Sequence, residues 1–409
     1  KWLKVLKSLV ETYKNEPKHV EEFAQEMQKN LEDNYFESVN SQLSINEKRL
    51  KDWIMSLKAL FDNVFGGYKY VPKFPLPNHL DFILSYGYKE NDTVLIDHIK
   101  TTLFCMANGG IFDHVEGGFA RYSTDASWKV PHFEKMLYDN AQLMALYSNA
   151  ARNTTEASEY RFYRTVVTET FGYLFENLRT PSGSYLCAQD ADSGGSEGGY
   201  YCWTEMELKE LLKTDYSWFK DLYNIRPETC WENDWFILQK TESIDVFAFK
   251  QNWTEDEAYA NIDRVKSILL ARRAKRIKPS IDTKSLTSWN AVLLSGLCHS
   301  YLAFNDKEML NEANSIADWI RDKMTGRDGL IARNFVNNKA NINGFLDDYA
   351  LTIQAFIKLY QVNGVLLYLE YAKDLCAMVV DKFYSEKQRL FHFTQTDSRL
   401  IARKIDIDD

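Results

Sequence analysis

The chain has 409 residues, more than one compact core usually serves, so two domains or one large repetitive architecture is expected. A formal net charge of −9, with no sustained basic run except "LLARRAKRIKP" ending at 279, leaves no electrostatic footprint for DNA or RNA. No apolar run reaches the ~18 residues that span a bilayer, and six cysteines without a C-x-x-C exclude both a dithiol redox motif and a thiolate zinc site.

The cysteines instead fit buried thiols in a reducing compartment, so a cytoplasmic location is expected. The opening "KWLKVLKSLV" predicts an amphipathic helix without a signal-peptide cleavage pattern. A polar linker follows, near "NLEDNYFESVNSQLS". The missing initial Met and the acidic end "KIDIDD" predict a piece of a longer chain, with residues 1–45 belonging to something upstream and 46–409 forming one domain.

From there apolar residues recur at three and four, predicting helices in "WIMSLKALFDNVF", "VLIDHIKTTLFCMA", "MLYDNAQLMALYSNAA", "YRFYRTVVTETFGYLFENL", "AVLLSGLCHSYLAF", "MLNEANSIADWIRDKM", "YALTIQAFIKLY" and "LEYAKDLCAMVVDKF". Between them a turn followed by an aromatic or aliphatic stretch keeps returning: "GGYKYVPKFP", "GGIFDHVEGGFARY", "SGSYLCAQDAD", "RDGLIARNF" and "KQRLFHF". This is a degenerate repeat of helix, turn, short extended piece and next helix. The loops, above all an irregular stretch over about 214–253, are longer than open solenoids use. A closed double ring of helices, an all-α (α/α)6 toroid, fits better. If outer and inner helices alternate, "PKFPLPNHL", "PHFEKMLYDN", "SLTSWNA" and "LDDYA" each open an inner helix, and their polar groups converge on one mouth.

Three loops carry more polar groups than connectors need. "GGIFDHVEGGFARYSTDASW" packs Asp113, His114, Arg121, Tyr122 and Trp128 between glycine pairs, a composition that suits a polyhydroxylated ligand stacked on aromatic faces. In "VPHFEKMLYDN", Pro131 suits a first helical turn. That register stacks Asp139 two turns behind His132, sending both toward the cavity, with Glu134 and Tyr138 on the helix's other flank. His132 is the strongest acid/base candidate. In "AQDADSGGSEGGYYCWTEMEL", Asp190 and Asp192 share one side of an extended segment, Glu197 returns after a glycine turn, and Tyr200 and Trp203 follow. Thr204 and Glu207 form a capping box. The spacing is wrong for an EF-hand, so no metal and no cofactor are expected. Trp289 and Asn290 at one later helix start, and Asp347 and Asp348 at another, read either as caps or as further mouth residues.

These strings, together with "ARRAKRIKPSIDTKSLTSWNAVLLSGL" and "GFLDDYAL", resemble the thioredoxin-domain family that includes spermatogenesis-associated protein 20 and bacterial YyaL-type proteins. The resemblance implies a six-hairpin α/α toroid similar to those of glycosidases and sugar 2-epimerases, incomplete at its last hairpin. It also implies an upstream thioredoxin-like domain, absent here except for its final helix, as intramolecular partner. An epimerase needs two basic groups, such as His132 with His114. A hydrolase needs a carboxylate pair, such as Asp192 with Glu197 or Asp348. A non-catalytic module serving the upstream domain is the reading from another class.

Overall fold

The computed structural model describes residues 2–33, 46–386, 388–395 and 400. Most of the expected polar linker and the acidic end lie outside these. Helices α1 (Trp2–Asn15) and α2 (Pro17–Asp33) come first. They are amphipathic, and Trp2, Leu6, Leu9 and Phe23 are exposed.

The ring is built from α3 (Glu47–Leu60), α4 (Pro77–Glu90), α5 (Thr93–Asn108), α6 (Leu137–Asn153) and α7 (Ala157–Asn177). After an insertion come α12 (Thr287–Phe304), α13 (Lys307–Trp319), α14 (Leu346–Asn363) and α15 (Leu366–Phe383). Packing sorts them into two layers. α4 lies on α6, α6 on α12 and α12 on α14, while α5, α7, α13 and α15 each lean on the inner helix before them. The inner helices are buried on more than one face, as α12 shows with Asn290, Ala291, Leu293, Leu294 and Leu297. Where α12 crosses α6, a Cβ on Gly296 would sit 2.5 Å from the Ala141 carbonyl oxygen. Glycine is what permits this approach. These nine helices follow the (α/α)6 toroid fold and, among the described residues, fall short of its full six hairpins.

The sequence repeat has a structural unit. After outer helices the turn is closed by a single antiparallel bridge, Phe61 to Tyr68, Phe112 to Phe119, Arg179 to Tyr185 and Thr325 to Ile331, and after α15 by a hairpin pairing Tyr384 with Phe391. Inner-helix starts differ from outer ones. Asn46, Asp92 and Asp306 cap α3, α5 and α13 with their side chains, but apolar Leu76, Met136 and Leu286 stand at the same point of α4, α6 and α12. Orphan amides there are satisfied by the neighbouring repeat. Leu137 N donates to Cys187 O (2.8 Å), Ser288 N to Asp348 Oδ1 (3.1 Å) and Leu346 N to Phe393 O (2.9 Å). The starts of α6, α12 and α14 are thus locked by chain belonging to a later repeat.

Two buried amides complete the unit. Asn140 and Asn290 are each the fourth residue of their helix. Each brackets one backbone residue: Asn140 accepts from Phe119 N (2.7 Å) and donates to Phe119 O (3.0 Å), and Asn290 does the same with Tyr185 (2.7 and 3.0 Å). Asn290→Leu keeps the volume and orphans two buried backbone groups, at about 1–3 kcal/mol each. The urea midpoint should therefore fall well below that of the wild type. An unchanged midpoint would show that the bracket carries no stability.

The insertion between α7 and α12 holds α8 (Glu205–Leu212), α9 (Tyr216–Leu222), α10 (Ile244–Gln251) and α11 (Glu255–Arg273). Its own core forms around Trp203, Leu222, Phe247 and Val265. The expected irregular stretch over 214–253 is corrected by α9 and α10. At seven and eight residues they are too short for helical periodicity to separate from a loop.

Candidate functional site at the ring mouth

The motif "VPHFEKMLYDN" is not helical at its start. Pro131 and His132 pair as a short strand with Tyr122 and Ser123, Lys135 and Met136 pair with Ala188 and Gln189, and α6 begins only at Leu137. The stacking of Asp139 behind His132 on one helical stripe is therefore overturned. Proline's fixed φ suits a strand edge as well as a first helical turn, and the strand partner lies in a loop that periodicity does not see.

In the observed register Tyr122 sits opposite His132, so their side chains share a face, and their rings stack at 5.1 Å. On the free side, Asp192 and Ser193 form a hairpin with Ser196 and Glu197 around Gly194 and Gly195, both at positive φ. This returns Glu197 to the imidazole, with Nδ1 2.7 Å from Glu197 Oε1. An acceptor there fixes the proton on Nδ1 and leaves Nε2 as the exchangeable nitrogen. Nε2 lies 3.7 Å from Glu134 Oε2, too far for a hydrogen bond. Arg121 Nη1 reaches the same Glu134 oxygen at 3.3 Å and also interacts electrostatically with the Tyr138 hydroxyl. Tyr138 in turn packs on Trp289 at 4.8 Å. Glu134 and Tyr138, expected on a separate flank, thus belong with His132, Arg121, Tyr122, Glu197 and Trp289 to one partly exposed cluster.

Other expected site residues are placed elsewhere. Asp113 is buried, with Lys135 Nζ at 2.9 Å and Arg273 Nη1 at 2.7 Å on the same carboxylate oxygen. Burial alone would raise its carboxyl, but Arg273 and Lys135 hold it well below the usual carboxylate range. Lys135 lies over the rings of Tyr173 and Tyr201 at 4.1 and 5.1 Å. His114 is fully enclosed. Its Nε2 lies 3.0 Å from the Gly109 carbonyl, and burial, with Lys240 and Lys266 nearby, drives its pKa well below the ordinary value. It does not face His132 as a second base.

Trp128 and Trp203 are fully buried and Tyr200 nearly so. Trp128 Nε1 donates to Phe65 O at 2.8 Å, and Arg276 lies over Trp203 at 4.0 Å, so these rings serve packing rather than a ligand face. Asn290 is the backbone bracket already described. Asp190 spends its carboxylate on Ala191 N (2.8 Å) and Ser280 Oγ (3.1 Å). Asp348 is a buried clasp taking Ser288 N, Phe345 N (3.0 Å) and Arg333 Nη1 (2.9 Å). Burial and the neighbouring Asp347 still push its pKa up to about 6.

Among the described residues no group of three His, Cys, Asp or Glu side chains is placed to hold a metal ion. Chelator is accordingly expected to leave the melting temperature unchanged. A large fall reversed by calcium would reveal a bound ion through mass action.

Sequence reasoning missed a second polar group inside the ring: Asp81 on α4, Asn149 on α6 and His299 on α12. These lie 68 and 150 positions apart in sequence and look like ordinary polar residues of a helix interior, so only the assembled ring reveals them.

No family model matches the chain. An uncharacterised protein of Caenorhabditis elegans is 29% identical over 411 residues, covering 91% of this chain and 55% of that protein. Human spermatogenesis-associated protein 20 is 30% identical over 360 residues, covering 77% of this chain and 44% of that protein. The chain thus spans about half the length of the curated relatives it matches. Among solved structures, a crystal structure of D-mannose isomerase aligns with a TM-score of 0.52 at 11% identity, covering 88% of this chain and 75% of that one. This likeness concerns the fold. No helix of the described residues is long and apolar enough to cross a membrane. With matching sequence over most of the ring, the chain is a homologue of spermatogenesis-associated protein 20.

Proposed function

We propose that the ring mouth binds a sugar-like ligand and performs proton-transfer chemistry on it, as an epimerase or isomerase, with glycoside hydrolysis as the alternative within the same class of substrate. The observation that carries this reading is the imidazole of His132, held by Glu197, stacked on Tyr122 and facing Glu134 across 3.7 Å. One face of such a site supplies an imidazole whose Nδ1 is engaged by Glu197 and whose Nε2 can exchange a proton. The carboxylates Glu134 and Glu197 supply a route for the proton, and Trp289 and Tyr138 supply apolar faces for a ring. The name of the fold neighbour, D-mannose isomerase, agrees with this class.

The hydrolase alternative rests on Asp192, which pairs across the hairpin with Glu197 and whose carboxylate takes no backbone N–H among the described residues. The reading is tested by incubating the chain with mono- and disaccharides and following C2 and anomeric signals by NMR. C2 exchange favours the epimerase class. Release of a reducing end favours hydrolysis. Neither, across aldoses, ketoses and disaccharides, would count against catalysis.

One observation favours a second reading, a binding module for an upstream thioredoxin-like domain. The apolar side chains of α1 and α2, such as Leu6, Leu9 and Phe23, lie exposed, and domains cover such faces. On that division α1 and α2 belong with an upstream domain and the toroid begins at α3.

A further inference from the structure

The inner helices enclose a cavity of about 310 Å³, lined by Asp81, Gln142, Asn149, Ser295, His299 and Gln354, with apolar contacts between them. It takes side chains from α4, α6, α12 and α14 together. Asn149 comes twelve residues after the first residue of α6, more than three turns in, so this space lies along the ring's axis and away from His132.

Its polar groups form an ordered relay. Asn149 Nδ2 donates to Asp81 Oδ1 at 2.7 Å, and Asn149 Oδ1 lies 2.8 Å from His299 Nδ1. The carboxylate can only accept, so it fixes which end of the amide is NH2. The amide oxygen then requires a proton on Nδ1, and Nε2 of His299 is left with its lone pair. Among the described residues Nε2 has no partner. Burial, with Lys358 and Arg152 nearby, lowers this imidazole to about 4, so it is a neutral acceptor at physiological pH.

We propose that this lumen is a binding site for a neutral polyol of monosaccharide size or smaller, whose hydroxyl donates to His299 Nε2 while others engage Gln142, Ser295 and Gln354. Charge selects the class. Asp81 in the wall disfavours an anion, and Lys358 and Arg152, outside the lining but within electrostatic reach of His299, offset that carboxylate's attraction for a cation. The lining supplies amide and hydroxyl groups that both donate and accept, as a polyol needs. The volume sits at the lower end of small-ligand pockets, about 300–1,000 Å³.

The inference is independent of the mouth chemistry, and xylitol separates the two, having no anomeric carbon or carbonyl for the mouth to act on. Histidine-labelled chain is titrated with xylitol, acetate and methylammonium while the ring nitrogens are followed by long-range nitrogen–proton NMR. Xylitol is expected to move the His299 Nε2 signal saturably, with the two ions at least tenfold weaker. His299→Ala and Gln142→Leu should each raise the xylitol dissociation constant at least tenfold, whereas His132→Ala should leave it unchanged. Gln142→Leu leaves the relay intact, so its effect reads the lumen rather than folding. The proposal is overturned if xylitol shifts nothing up to molar concentration, if an ion binds more tightly, or if His132→Ala abolishes the response.

Discussion

Asp113→Ala is expected to unfold the chain at temperatures where the wild type is fully folded. Asp113 is the anion shared by Lys135 and Arg273, whose side chains are 2% and 1% exposed. Removing it leaves two cations in a site lined by Tyr173, Tyr200, Tyr201 and Trp203. Glu116, 3.9 Å from Arg273 Nη1, stays within ion-pair reach but makes no hydrogen bond to either cation, so it offsets only part of the loss. Breaking a buried pair by deleting one partner costs about 3–5 kcal/mol, against a total stability of about 5–15.

The damage also spreads across elements, because Asp113 lies in the loop after α5, Lys135 at the entry to α6 and Arg273 at the end of α11, so the ring and the insertion lose their common tie. The sign of the pH dependence follows from the carboxyl's depression. Its contribution is present above the unfolded carboxylate pKa of ~3.9 and is lost as pH falls through the lower folded value. Wild type should lose stability in acid more steeply than Asp113→Asn, which starts lower. Equal urea midpoints for wild type and Asp113→Ala at pH 7 would sink the assignment.

How much of this was legible in the sequence depends on the range of the interaction concerned. The outer ring helices were readable because burying one stripe, as α13 does with Met309, Ala313, Ile316 and Ala317, leaves a period of three and four that needs no partner. The repeat was readable because each bridge, such as Phe112 to Phe119, closes over a few residues. The inner-helix starts were readable as a convergent set, but their residues sorted differently from expectation. Asn290 and Trp128 advertise polar or aromatic chemistry and spend it on Tyr185 and Phe65 backbone atoms. Glu134 looked like a helix-start charge and became a site residue once its segment proved extended. That error has one cause: the strand at Pro131 and His132 exists only through its pairing with residues 122 and 123, which local propensity does not contain. His114 and His132 could not be told apart by residue type. Burial decides, and burial of a loop histidine is a tertiary property.

His132→Gln is expected to remove turnover of any mouth substrate by a factor of about 10²–10⁴, the usual worth of a positioned acid/base group, while leaving the fold nearly intact. The two halves of this expectation rest on different observations. His132 is 30% exposed in its side chain, and its partner Glu197 is 44% exposed, so the pair lies in high dielectric and adds at most about 1 kcal/mol to stability. Glutamine retains an amide donor for Glu197 but has no titratable nitrogen, so orientation of the neighbours survives and proton transfer does not. Glu197→Gln should behave differently. It keeps an acceptor for Nδ1–H and loses only the charge that steadies the ring during proton transfer, so it should cost less in rate than His132→Gln. A rate loss in His132→Gln matched by an equal fall in melting temperature would make His132 a structural residue. Unchanged turnover with an intact fold would move the chemistry to Asp192 and Glu197, the carboxylate pair that a hydrolase would use.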